Sequence, residues 1–166
     1  MKFKFECDDL DGLVLIDKSY LSELNDDMIY ALDVLLDSQG QSELIYDFPN
    51  EEWSTVRARE TKHLREFCNS GKMLIWLSND VDKVCKFEEE KEISVPSKWL
   101  HLPSGKLLAI TAGELIECWP YLELQMEQIF ELDIEQGWYA ISGDSIDKIC
   151  YCKKEPQNSV FNNVQE

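Results

Sequence analysis

Positive charge is scarce in this chain: 16 Lys and Arg stand against 33 Asp and Glu, leaving a formal charge of -17 and a pI near 4.4. A surface with that bias repels nucleic acid and anionic membrane, attracts basic proteins and speeds their encounter. Histidine is scarcer still, with only His63 and His101, and neither lies at a zinc-binding spacing. No apolar run approaches the ~18 residues of a membrane span. The segment Met1-Lys2-Phe3-Lys4-Phe5-Glu6-Cys7 lacks the apolar stretch of a secretion signal, so a cytoplasmic protein is expected. Six cysteines occur with no CxxC pair and without the density of a secreted disulfide scaffold, and they read as reduced core thiols. There is no Gly-rich phosphate loop, and no cofactor is expected.

What is present suffices for a core. With 166 residues, 44% of them hydrophobic, and five Trp, seven Phe and six Tyr, the chain fits one folded domain rather than a disordered acidic tail. The domain is expected over residues 1–155, followed by a flexible polar tail over 156–166.

Phe3 and Phe5 alternate with charged neighbours, and after Asp8-Asp9-Leu10-Asp11 comes the apolar run Gly12 to Ile16; this predicts two strands joined by an acidic turn. Apolar positions 21, 24, 28, 32 and 35 predict a helix ending near Gly40, with a break near Asn25. Leu44-Ile45-Tyr46 is a short strand candidate. Asn50 to Asn69 reads as a second helix, with Arg57, Arg59, Lys62 and Arg65 as a basic cluster. Its readings are a solvated face or a phosphate site. Lys72 to Leu77 predicts a strand buried on both faces, and Glu88 to Glu92 a charged hairpin tip or helix end. Trp99 to Leu102 and Lys106 to Ile110 flank Pro103-Ser104-Gly105 as a hairpin. Thr111 to Glu114 resembles a capping box opening a short helix. A turn at Gly143-Asp144 and a last strand to Cys152 complete an α+β fold, a largely antiparallel twisted sheet packed by two or three helices.

The stretch Leu122 to Glu135 is the most regular. Its even positions are apolar apart from Gln128, and its odd positions polar apart from Ile129, which is the period of a half-buried strand. The outward side then becomes a row of carboxylates about 7 Å apart. It is either a solvated face or a docking surface for a cationic partner. The candidate partner-binding residues are Glu123, Glu127, Glu131, Asp133 and Glu135, with Trp138 and Tyr139 beside them as anchors.

Catalytic patterns are weak. Asp9-Leu10-Asp11-Gly12, Ser78-Asn79 and Gly143-Asp144-Ser145-Ile146-Asp147 together resemble the motifs of haloacid dehalogenase-type phosphatases, in which an aspartate attacks phosphorus beside Mg²⁺. Leu13 replaces the usual Thr, and hairpins rather than βαβ units fill the interval. Gly143-Asp144-Ser145 has no following His to serve an esterase. No metal site and no catalytic residue are assigned.

The phrases Trp99 to Leu107, Ala112-Gly113-Glu114-Leu115 and Leu132 to Ile141, with Ile141 two residues after Tyr139, resemble bacterial immunity proteins of polymorphic-toxin, contact-dependent and type VI secretion systems. The resemblance covers roughly residues 98–152. It implies a cytosolic α+β protein that binds one cognate toxin, expected to be basic, and occludes its active site. A generic acidic adaptor is the other non-enzymatic reading.

Overall fold

In the computed structural model the strand Asp11–Asp17 (β2) is buried at every position, and a strand covered on both faces needs a layer on each side of it. The structure describes residues 2–5, 11–38, 43–44, 61–78, 83–94, 96, 98–121, 129–145 and 147–157. Around β2 the chain lays down β1 (Lys2–Phe5), a 3-10 turn (Lys18–Glu23), α1 (Asp26–Ser38), β3 (Glu43–Leu44), α2 (Lys62–Asn69) and β4 (Met73–Ser78). Then come β5 (Lys83–Glu89), β6 (Lys98–Leu102), β7 (Lys106–Thr111), α3 (Ala112–Cys118), β8 (Ile129–Asp133), β9 (Gly137–Ser145) and β10 (Lys148–Lys153).

The fold is α+β, and its strands divide between two five-stranded sheets. The middle sheet has the order β3-β4-β2-β7-β8 and is antiparallel throughout. The outer sheet has the order β1-β5-β10-β9-β6 and is antiparallel except for the parallel pair β5–β10. The helices cover the middle sheet, with α3 on β2 and β7, α2 on β4, and α1 against both helices. On the other side the Trp76 indole N–H of β4 donates to the Gly143 carbonyl of β9 at 3.2 Å. One buried cluster runs through both sheets, from Val14, Ile75 and Ile110 to Leu100, Ile141 and Ile149.

The expected hairpin at Pro103-Ser104-Gly105 and the expected acidic turn are both crossings between the sheets. β1 joins the outer sheet and β2 the middle one. β6 pairs with β9 and β7 with β2 and β8, so Pro103-Ser104-Gly105 is a corner. Likewise β8 and β9 lie in different sheets.

The first corner has a visible cause. Asp17, wholly buried at the end of β2, accepts from the Ser19 N–H and hydroxyl at 2.8 and 2.6 Å, starting the 3-10 turn. The same carboxylate accepts from the Ser104 N–H at 3.1 Å and its hydroxyl at 2.7 Å, pinning the corner to β2. Gly105 has φ +72°, and its carbonyl accepts from the Ile134 N–H at 2.8 Å. A Cβ on Gly105 would collide with the Ile134 carbonyl, so only glycine fits there.

Other local expectations stand. The break near Asn25 falls between the 3-10 turn and α1, and the Thr111 hydroxyl caps α3 by accepting from the Glu114 N–H at 3.3 Å. Met73 to Trp76 are fully buried, as a two-faced strand requires. Two elements differ from expectation. Glu88 and Glu89 end β5 rather than forming a hairpin tip or helix end, and β9 runs through Gly143 and Asp144 to Ser145 without turning. The expected cap at Asn50, the strand residues Ile45 and Tyr46, and most of the polar tail lie outside the described residues. Cys68, Cys85, Cys118 and Cys152 are buried and in no disulfide, and burial pushes the Cys85 thiol up to about 12.

Candidate protein-binding surface

The acidic row begins as expected. Along β8 and just beyond it, Phe130, Leu132 and Ile134 pack on the core while Glu131, Asp133 and Glu135 are exposed. Glu123 and Glu127 lie outside the described residues. The row is not a free anionic surface, however. Lys106 stands directly across the ladder from Asp133 and bonds it at 3.1 Å, while Lys18 reaches Glu131 at 3.5 Å and Lys153 reaches Glu135 at 2.7 Å. The hydrogen bond to Asp133, and then the charges of Asp133 and Glu131, raise the Lys106 ammonium above its ordinary value. Cross-strand pairs of opposite charge are the normal way a sheet face is balanced. The lysines come from distant segments, so the strand's own pattern cannot show them.

The two aromatic candidates separate. Successive residues of a strand point to opposite faces, and here Tyr139 goes inward. It is 3% exposed, and its hydroxyl donates to the Glu135 carbonyl at 2.5 Å. Burial, with help from Glu135, pushes its phenol up to about 12. Tyr139 is therefore a core residue and not an anchor. Trp138 points the other way, half-buried and stacked on His101 at 4.5 Å.

His101 also meets the Tyr20 hydroxyl through Nδ1 at 2.5 Å, and the Lys72 ammonium lies 5.3 Å from the centre of the Tyr20 ring. Burial holds His101 below its ordinary 6.5; Asp17 and Glu155 oppose this and Lys72 adds to it. Below pH 6.5 the unfolded chain then binds more protons at this site than the folded one. The stability His101 contributes is complete above that pH and is lost as pH falls through the folded value. In urea titrations the wild-type advantage over His101→Gln should be constant above neutrality and shrink below pH 6.5. A difference independent of pH would remove His101 from the acid response.

Among the described residues, carboxylates without an ion-pair partner lie on the helices instead. Neither α1, DDMIYALDVLLDS, nor α3, AGELIEC, contains a Lys or Arg. Asp26, Asp27, Tyr30 and Asp33 share one stripe at helical spacing, and all four are exposed. Glu117 is exposed on α3, which packs beside α1. The Trp119 indole ties the two by donating to Asp26 Oδ1 at 2.7 Å. Among the described residues Asp27, Asp33 and Glu117 make no ion pair. Tyr30, on the α1 stripe, is 57% exposed, and Tyr121, just after α3, is 64% exposed. The sequence carries a signal for this surface: no Lys or Arg occurs between Lys18 and Arg57.

The phosphatase-like motif is placed differently from what that chemistry needs. Asp11 opens β2, whose neighbours are both antiparallel, and its Oδ1 accepts from the Gly12 and Gly113 N–H groups at 2.7 Å each. It anchors the start of α3. Asp9 and the Asp144 side chain lie outside the described residues. Of the basic cluster, Lys62 faces Glu66 at 4.0 Å, while Arg57 and Arg59 lie outside. Among the described residues no group of His, Cys, Asp and Glu is arranged to hold a metal ion, and no helix is long and apolar enough to cross a membrane. Comparison with family models, with curated proteins and with solved structures finds no match to this chain.

Proposed function

We propose that this chain is an acidic, cytoplasmic immunity-type protein that binds one basic toxin and covers its active site, and that the α1–α3 face makes the contact. The observation that carries the reading is a pair of packed helices, α1 and α3, that bear carboxylates and contain no Lys or Arg, with Tyr30 exposed on α1 and Tyr121 exposed just after α3, in a chain of charge -17. Carboxylates of this kind steer a cationic partner and set its on-rate, and aromatic anchors slow its departure. The β8 row contributes less, because its lysines already neutralise it.

The test is a pull-down of the tagged protein from its native host at low and high salt, with each bound chain expressed alone to score toxicity and then co-expressed to score rescue. A basic chain that is toxic alone and harmless with its partner supports the proposal. With that chain in hand, Asp27→Lys, Asp33→Lys and Glu117→Lys together should lower the association rate by roughly 10- to 100-fold at low salt. Reversal of Glu131 and Asp133 should change it little. Recovery of no toxic chain at either salt would overturn the immunity reading. An unchanged rate in the helical variant would overturn the choice of face.

A further inference from the structure

The outer sheet turns one face to the core, with Cys85, Phe87 and Ile149 buried, and its other face to solvent. Over β9 and β10 that second face is covered: Ile93, in the segment after β5, packs on Ala140 and Cys152. Lys154 holds the segment through Glu92 at 3.2 Å and the Ile93 carbonyl at 3.4 Å. The β1 end is bare and carries lysine. Lys2 stands opposite Lys86 in the β1–β5 ladder, and Lys86 opposite Lys148 in the β5–β10 ladder. Three lysines therefore line up across three adjacent strands. Lys4 joins them on the same face, opposite Val84, and all four lysines are exposed. Glu88 lies 3.6 Å from Lys148. Among the described residues no carboxylate lies within ion-pair distance of Lys2, Lys4 or Lys86.

Like charges directly opposite one another on neighbouring strands are destabilising. With 33 acidic residues and only 16 basic ones, the chain has ample carboxylate to break such a row. Lysines on an edge strand guard against unwanted pairing, which accounts for Lys2 and Lys4 on β1. It does not account for Lys86 and Lys148, whose strands are interior.

We infer that this end of the outer sheet is a docking surface for an acidic, extended polypeptide segment. The surface is flat, so a single small anion would meet one or two ammonium groups and stay hydrated. A segment with acidic residues at every second position presents carboxylates about 7 Å apart on one side, the pitch of Lys2 and Lys4 along β1. Across the strands the lysine row has a step of about 4.8 Å. Val84, 48% exposed beside Lys4, supplies an aliphatic contact suited to a protein side chain. A single-stranded nucleic acid needs rings to stack on, and among the described residues the large apolar side chain exposed at this end is aliphatic. This surface is separate from the α1–α3 face, and the inference does not rest on the toxin reading.

Fluorescence anisotropy with a labelled short oligoglutamate peptide, and in parallel with an oligothymidylate of matched charge, tests it on the full chain. The peptide should bind at low salt and weaken as salt rises. The triple variant Lys2→Gln/Lys86→Gln/Lys148→Gln should lose roughly tenfold in affinity, as expected for three exposed ion pairs. The single Lys86→Gln should lose roughly two- to threefold. Lys106→Gln/Lys153→Gln, which removes lysines of the balanced row, should bind as wild type does. Thermal unfolding of the triple variant at or above the wild-type midpoint would show that the loss is not misfolding. No peptide binding by the wild type, equal binding by the triple variant, or tighter binding of the oligothymidylate would each overturn the inference.

Discussion

Trp76→Ala should lower the unfolding free energy by about 4 kcal/mol, the range for truncating a large aromatic in a core. Trp76 is fully buried on β4, and its indole N–H is a direct hydrogen bond from the middle sheet to the outer one. Gly143 lies where the strands leave no room: a Cβ there would sit 2.9 Å from the Lys148 carbonyl. β9 is held tightly against β10 at this point, so the strand that accepts the bond has little room to shift into the void. Trp76→Phe keeps most of the ring but leaves the Gly143 carbonyl without its donor, and should cost about 2 kcal/mol. Urea titrations followed by far-ultraviolet circular dichroism give both values without relying on the lost fluorophore. A loss under about 1 kcal/mol for the alanine variant would mean that the sheets do not depend on this contact.

Asp17→Ala should cost about 3 kcal/mol, although the residue is small and polar. Its carboxylate accepts four hydrogen bonds, two from Ser19 and two from Ser104. Removing it takes the acceptor from the half-buried Ser104 donors beside a position that is 0% exposed, while those of exposed Ser19 turn to water. The start of the 3-10 turn and the β6–β7 corner lose their anchor together. Asp17→Asn keeps one acceptor oxygen but turns an amide toward the donors, and should cost about half as much. Ser104→Ala, which removes one hydroxyl, should cost about 1 kcal/mol. The order Ala, Asn, then the serine variant is what denaturation midpoints should return. Equal stability of all three with wild type would make the corner independent of Asp17.

Patterns within one element were readable before the structure, and relations between elements were not. The apolar run Gly12 to Ile16 announces a strand, Lys72 to Leu77 a strand covered on both faces, and Thr111 with Glu114 a helix start; each depends on neighbours a few residues away. The same holds for Phe130, Leu132 and Ile134 facing inward. By contrast, Lys106 neutralises Asp133 from a distance of 27 residues in sequence, and Lys18 reaches Glu131 from the end of β2, two strands away. A charge count along one strand contains neither. Trp138 and Tyr139 were placed together because they are adjacent in sequence, whereas strand alternation sends one outward and one into the core. The corner at Pro103-Ser104-Gly105 has the composition of a hairpin turn; what makes it a corner is a carboxylate 87 residues earlier. The α1–α3 face was within reach, since a long interval without Lys or Arg is visible in the sequence. Its exposure, with Tyr30 and Tyr121 standing clear, belongs to the packing.

The parallel pair β5–β10 has a consequence for the order in which the molecule can assemble. β10 is inserted between β5 and β9, so the middle of the outer sheet is occupied by the strand synthesised last among those described. Until residues 148–153 have left the ribosome, β5 has only the four-residue β1 beside it and β9 only β6. Each half then exposes the edge that β10 will fill. Contacts between segments so far apart in the chain slow folding, because the loop between them must be closed before any pairing repays the cost. The outer sheet is thus completed only after translation has passed residue 153, onto a middle sheet whose β2, β4 and β7 are already available. A released chain truncated between β9 and β10 should therefore be sensitive to protease across β5, β6 and β9 while the β2–β4–β7 core is protected.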